Sequence, residues 1–157
     1  MDQHLALLKR AIELSEHGSQ QGHGGPFGAV VAKDGEVISE GWNRVPADCD
    51  PTAHAEIVAI RAATKALDSF SLAGCVLYTS CEPCPMCLAA SYWARVDHVY
   101  YANDRHDAAA IGFDDQFFYD ELAAPIAKRS LPLTHLEVEG AREPMRKWAD
   151  LADKTPY

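Results

Sequence analysis

The sequence is short of positive charge. Fourteen Lys and Arg face 23 Asp and Glu, a formal charge of −9 over 157 residues. Binding a phosphate backbone or an anionic membrane surface relies on Lys and Arg, so this balance disfavours a general nucleic-acid or membrane binder. No basic run exceeds two residues; the pairs are Lys9-Arg10, Lys128-Arg129 and Arg146-Lys147. Long apolar runs are missing too, and none approaches the roughly 20 residues of a membrane span. The ten Gly and nine Pro follow no period, which excludes collagen-like and low-complexity readings. There is no internal repeat and no linker. The start, Met1 to Arg10, is too short and too charged for a secretory apolar region. These absences predict one domain over residues 1–157, in the cytoplasm, with neither a nucleic acid nor a membrane as partner.

The composition that remains, 48% hydrophobic and 24% charged, is that of a globular chain with a real core. The five cysteines are an odd number, and Cys81, Cys84 and Cys87 are clustered. In a reducing compartment such clustering suggests metal binding or catalysis before disulfides.

Hydrophobic periodicity predicts the order α-β-β-α-β-α-β-α-β-α. Leu5, Leu8 and Ile12 recur at helical spacing in a first helix of about four turns. Two β-prone runs, Phe27–Lys33 and Glu36–Trp42, flank Asp34-Gly35 and predict a hairpin. Asp50-Pro51 reads as the N-cap and first position of a second helix through Ile57, Ile60, Ala63 and Leu67. A strand over Cys75–Ser80 leads to a third helix opening at Cys84-Pro85, and strands follow over Val96–Ala102 and Thr134–Val138. Between these two, residues 103–132 form a long connection with helical stretches. Crossover helices imply a sheet mostly parallel after the hairpin. The fold class is α/β, a three-layer α/β/α sandwich around a central mixed five-stranded sheet.

Chemistry concentrates at two helix starts, His54-Ala55-Glu56 and Pro83-Cys84-Pro85-Met86-Cys87. Cys84 and Cys87, three apart, share a helix face, and thiolates at a helix N-terminus gain from its dipole. With His54 they make three zinc ligands and leave the fourth tetrahedral position for water, as a catalytic zinc requires. Glu56 is then the proton carrier between that water and a leaving nitrogen. On a regular helix His54 and Glu56 would diverge by about 200°, so a shared site requires the irregular first turn. A closed knuckle with Cys81 as fourth ligand is the competing reading. The pattern H-x-E…P-C-x-x-C, a signature of zinc nucleobase deaminases, favours the open, catalytic one.

The chain resembles the cytidine-deaminase-fold superfamily and, within it, the bacterial guanine deaminases. Gly24 to Val30, Asp50 to Glu56 and Leu77 to Cys87 carry the superfamily likeness. Tyr92-Trp93-Ala94-Arg95, Gly112-Phe113-Asp114-Asp115 and Tyr157 carry the likeness to the guanine branch. The resemblance implies hydrolysis of guanine to xanthine and ammonia with one Zn2+ per subunit, held by His54, Cys84 and Cys87, with Glu56 as catalytic acid/base. It implies that Asn43 and the Ala55 amide bind the purine, that Phe27 and Trp93 sandwich it, and that Asp115 and Tyr157 close the pocket, with Asp114 a lesser candidate. It further implies a homodimer in which the C-terminal segment 143–157 is swapped onto the partner.

Each substrate residue also has a plain structural role open to it: Phe27 in the core, Trp93 in packing, Asn43 in a turn, Asp114-Asp115 at a helix start. Glu82 is expected to turn the chain into the third helix. The stripe Met145, Trp148 and Leu151 would dock on its own core or on a second subunit. Three other functions compete: a tRNA adenosine deaminase, which the missing basic cluster disfavours; a deaminase of another free ring such as cytosine or an aminotriazine; and a zinc-stabilised scaffold, for which Glu56 would have no use.

Overall fold

Successive residues of β1 (Gly28–Lys33) face opposite sides of the sheet, and each side meets a different helix. Ala29 and Val31 pack with Ala59, Ile60 and Ala63 of α3 (Ala55–Ala66). Val30 and Ala32 pack with Leu7, Ala11 and Leu14 of α1 (Asp2–Gln20). The next strand in the chain is β2 (Glu36–Trp42), and the turn between them puts Asp34 and Gly35 at φ 50° and 84°, the left-handed pair that a tight hairpin needs. At Gly41 in β2 a Cβ would lie 2.6 Å from the Ala55 carbonyl oxygen, so only glycine lets α3 sit this close to the sheet.

The computed structural model describes residues 2–157. The chain forms two compact units, Met1–Tyr119 and Asp120–Tyr157. In the first, β3 (Cys75–Cys81) and β4 (His98–Asn103) complete a sheet of order β2-β1-β3-β4, with helices on both faces. No helix among the described residues is long and apolar enough to cross a membrane.

Two expectations are corrected. The sheet has four strands, and it is not mostly parallel. β1 is antiparallel to both β2 and β3, and only β3–β4 is parallel. The crossovers do join strands of like direction, β2 to β3 and β3 to β4, but the first of them passes over β1, which lies between. The expected fifth strand at Thr134–Val138 has no regular secondary structure and no ladder partner among the described residues. Its alternation is strand-like, yet Leu136 and Val138 are 75% and 67% exposed, and alternation becomes a strand only where a neighbour supplies hydrogen bonds.

The second helix also starts later than expected. Val45–Asp48 form a short α2, and Asp50 caps no helix; its Oδ1 accepts hydrogen bonds from the Thr52 amide (2.8 Å) and hydroxyl (2.7 Å) in the turn before α3. Beyond α4 (Pro85–Ala94), the long connection folds into α5 (Arg105–Ala110) and α6 (Asp115–Ala123). In the second unit, Arg129 donates to the Ala124 and Leu122 carbonyls at the end of α6 (3.1 and 3.0 Å). α7 (Glu143–Ala149) carries exposed Met145 and Trp148, with Leu151 just past its end.

Candidate active site

Two helix N-termini of the first unit converge at one end of the sheet. His54 is the N-cap of α3 and Cys84 the N-cap of α4, both with extended backbone (φ −69°, ψ 156° and φ −65°, ψ 167°). This is the irregular first turn that the His54–Glu56 spacing demands. Glu56 is then the second residue of α3 and Cys87 the third of α4. Pro85, first in α4, has no N–H to leave unpaired there.

The ligand atoms of His54, Cys84 and Cys87 all lie within 4.8 Å of one another, the one such triad among the described residues. Cys84 Sγ is 3.6 Å from His54 Nδ1. The Cys87 and His54 hydrogen bonds hold the Cys84 thiol down to about 4, against the opposing effect of burial. Its thiolate raises the pKa of His54. The Cys87 thiol is pushed far up, first by the hydrogen bond it gives Cys84 and then by burial. A divalent cation displaces the protons on these groups and neutralises paired thiolates, so the triad fits a zinc ion in number, chemistry and spacing.

Glu56 is 6% exposed, and burial pushes its carboxyl up to about 7. It lines the same cavity of about 360 Å³ as His54 and Cys84. Three expected substrate residues also line it: Phe27, Asn43 and Asp115. Asn43 is buried and fixed by its backbone, its N–H donating to the Phe27 carbonyl (3.0 Å), while its Oδ1 accepts from the Val45 amide at 3.2 Å. A Cβ at Gly24 would lie 2.6 Å from the Asn43 carbonyl oxygen, which accounts for glycine in the preceding loop. Ala55 is fully buried at the first position of α3, where amides have no partner within the helix.

The paired aspartates separate. Asp114 Oδ1 accepts the Phe117 amide at 3.1 Å, capping α6, whereas Asp115 faces the cavity, its pKa raised by burial and then by the nearby Cys84. Trp93 lies outside the cavity wall. It is 67% exposed near the end of α4, beside Tyr92 and Arg95 in a separate depression. Tyr157 belongs to the second unit and is 72% exposed.

Phe113, Cys81 and Glu82 line the cavity too, a place the sequence reading did not give them. Phe113 meets Phe27 edge to face, ring centroids 4.8 Å apart. Cys81 lines the cavity as a buried thiol, raised to about 12, rather than as a fourth member of the triad. Glu82 lines it as well, but both its carboxylate oxygens are taken by Arg105, at 2.6 and 3.0 Å. No spacing rule links residues 23 positions apart, so only the fold reveals that pair.

The cytidine and deoxycytidylate deaminase zinc-binding region matches residues 1–103. Guanine deaminase of Bacillus subtilis (strain 168) is 49% identical over 98% of this chain and 99% of that one. Its X-ray structure superposes with a TM-score of 0.95 over 98% of each chain. The chain belongs to the guanine deaminase family. A second guanine deaminase, from Nitrosomonas europaea, is 36% identical over 70% of this chain and 64% of that one, with a TM-score of 0.66. Against the guanine deaminase likeness, the tRNA-specific adenosine deaminase of Haemophilus influenzae (strain Rd) is 36% identical over 73% of this chain and 66% of its own.

Proposed function

We propose that this protein hydrolyses guanine to xanthine and ammonia. One observation carries the reading: the buried Glu56 carboxyl and the Asp115 carboxyl line one small pocket with His54 and Cys84, two of the three donors of the triad that Cys87 completes, in a chain similar to guanine deaminase along nearly its whole length. Zinc, held by His54, Cys84 and Cys87, would supply a Lewis acid that makes water a nucleophile near neutral pH. Glu56 takes the proton of the attacking water onto its carboxylate. It then gives one proton to the ring nitrogen beside that carbon and helps deliver another to the departing amine. Burial, which raises the pKa of its carboxyl, suits a group that must both accept and donate.

The remaining side chains orient the base. Asn43 donates its NH2, and the Ala55 amide adds a second donor. Asp115 accepts from ring N–H and amino groups, which guanine supplies and a carboxylate matches. Phe27, held edge-on by Phe113, packs against the ring. We assign Trp93, Tyr157 and the segment 143–157 to a swapped homodimer in which one subunit's tail reaches its partner's pocket. The exposed Leu136, Val138, Met145 and Trp148 support that assignment. The three thiols outside the triad, Cys49 exposed among them, support a reducing cytoplasmic setting, and the charge of −9 supports a free base over RNA.

Ammonia release measured across guanine, cytosine, adenine, an aminotriazine and an adenosine-bearing anticodon stem-loop tests the substrate. Turnover of guanine above the rest is expected; turnover of the stem-loop with none of guanine reverses the assignment.

A further inference from the structure

Arg105 opens α5 immediately after its N-cap Asp104. Its guanidinium forks onto Glu82, Nη2 to Oε1 at 2.6 Å and Nε to Oε2 at 3.0 Å, and its own backbone N–H adds a third bond to Oε2 at 3.1 Å. Glu82 is thereby a strut rather than a base, although it lines the cavity. The same guanidinium holds α6 from two sides. Nη1 donates to Gln116 Oε1 at 3.3 Å, and the Arg105 Cζ sits 3.8 Å from the ring centre of Tyr119. The Tyr119 hydroxyl in turn donates to the Pro83 carbonyl at 2.8 Å, and Pro83 directly precedes Cys84.

Asp115 is the neighbour of Gln116 and stands one helical turn before Tyr119, so Arg105 ties the start of α6 to Glu82 while Tyr119 adds a direct bond to Pro83. The side chains of Arg105 and Glu82 are 25% and 18% exposed, enough burial for a forked pair to fix geometry where an open surface pair would not.

We propose that Arg105 is a positioning residue that sets the reach of the Asp115 carboxylate toward the substrate by pinning α6 to the turn that carries Cys84. This rests on the reading of Asp115 as a substrate contact. Arg105 touches neither substrate nor metal in this scheme. Its loss therefore weakens ground-state binding more than it slows proton transfer at Glu56.

The test compares steady-state guanine kinetics and zinc content of the zinc-loaded wild type with R105A, R105K, D115N and the R105A/D115N double variant. R105A is expected to raise KM on the order of tenfold, the cost of one well-made polar contact, while kcat falls less than about threefold and zinc stoichiometry holds. R105K restores the charge but not the fork and recovers KM only in part. The double variant binds guanine no worse than D115N, because both changes disable one contact. KM effects that multiply, or an R105A variant that loses zinc or kcat at unchanged KM, overturn the proposal. D115N with wild-type KM overturns instead the reading of Asp115. Should R105A fail to fold, R105K and E82Q carry the same comparison with D115N.

Discussion

Replacing Glu56 with Gln separates stability from catalysis, and the structure gives the direction of both. Burial raises the Glu56 carboxyl from 4.5 to about 7. The native state thus holds a proton there that the unfolded chain has already released. Stability falls wherever the native state binds the extra proton and pH rises, so metal-free protein loses stability between pH 4.5 and about 7. A shift of that size corresponds to roughly 3 kcal/mol at full ionisation. Gln carries no charge, and its Oε1 can still accept the residue's own amide, the larger of the hydrogen bonds that favour the ionised carboxylate. Metal-stripped E56Q is therefore expected to match wild type near pH 4.5 and to exceed it by on the order of 2–3 kcal/mol above neutrality. Denaturant melts across that range measure the difference. The zinc-loaded variant is expected to keep its metal and lose roughly 10²–10⁴-fold in kcat, the usual weight of a positioned acid/base. Full activity in E56Q, or melts whose difference does not change with pH, would refute the assignment of Glu56 as a buried proton carrier.

Other outcomes follow from single contacts. C87S is expected to lose zinc by metal analysis and activity with it, since a serine hydroxyl is a poor substitute for a buried thiolate. D114A is expected to cost about 0.5–2 kcal/mol of stability through the lost cap, with KM unmoved, while D115N raises KM for guanine with little change in melting. A chain lacking residues 143–157 is expected to turn over guanine poorly and to recover when mixed with full-length E56Q, which brings an intact tail but no proton carrier. No recovery, together with a monomeric wild type by solution scattering, contradicts the swapped dimer.

The legible parts of this molecule were those set by local rules. Asp34-Gly35 dictates a left-handed turn and so a hairpin. Alternation along Ala29 to Ala32 and the Leu7, Ala11, Leu14 spacing dictate which faces meet. The P-C-P-x-C run dictates a helix start with two thiols on one face. What could not be read locally depends on neighbours. Asp50-Pro51 has the chemistry of a helix start, but the same carboxylate serves Thr52 in a turn, and the helix begins at Ala55. Thr134–Val138 has the period of a strand but no neighbour to complete it within this chain. Asp114 and Asp115 look alike in sequence, and only the start of α6 decides which caps and which faces the cavity. Phe113 stood in a recognised motif and Arg105 in none, but neither showed its contact, because their partners, Phe27 and Glu82, are distant in sequence.

The central claim is that zinc at His54, Cys84 and Cys87 and a proton carried by Glu56 together deaminate guanine. Ultraviolet observation of guanine passing to xanthine, run while zinc is titrated into metal-stripped protein, tests it most directly. The expected result is turnover that rises with zinc and saturates at one ion per chain, and that E56Q lacks at equal zinc content. Xanthine formed at full rate without bound zinc, or none formed at saturating zinc, would contradict it.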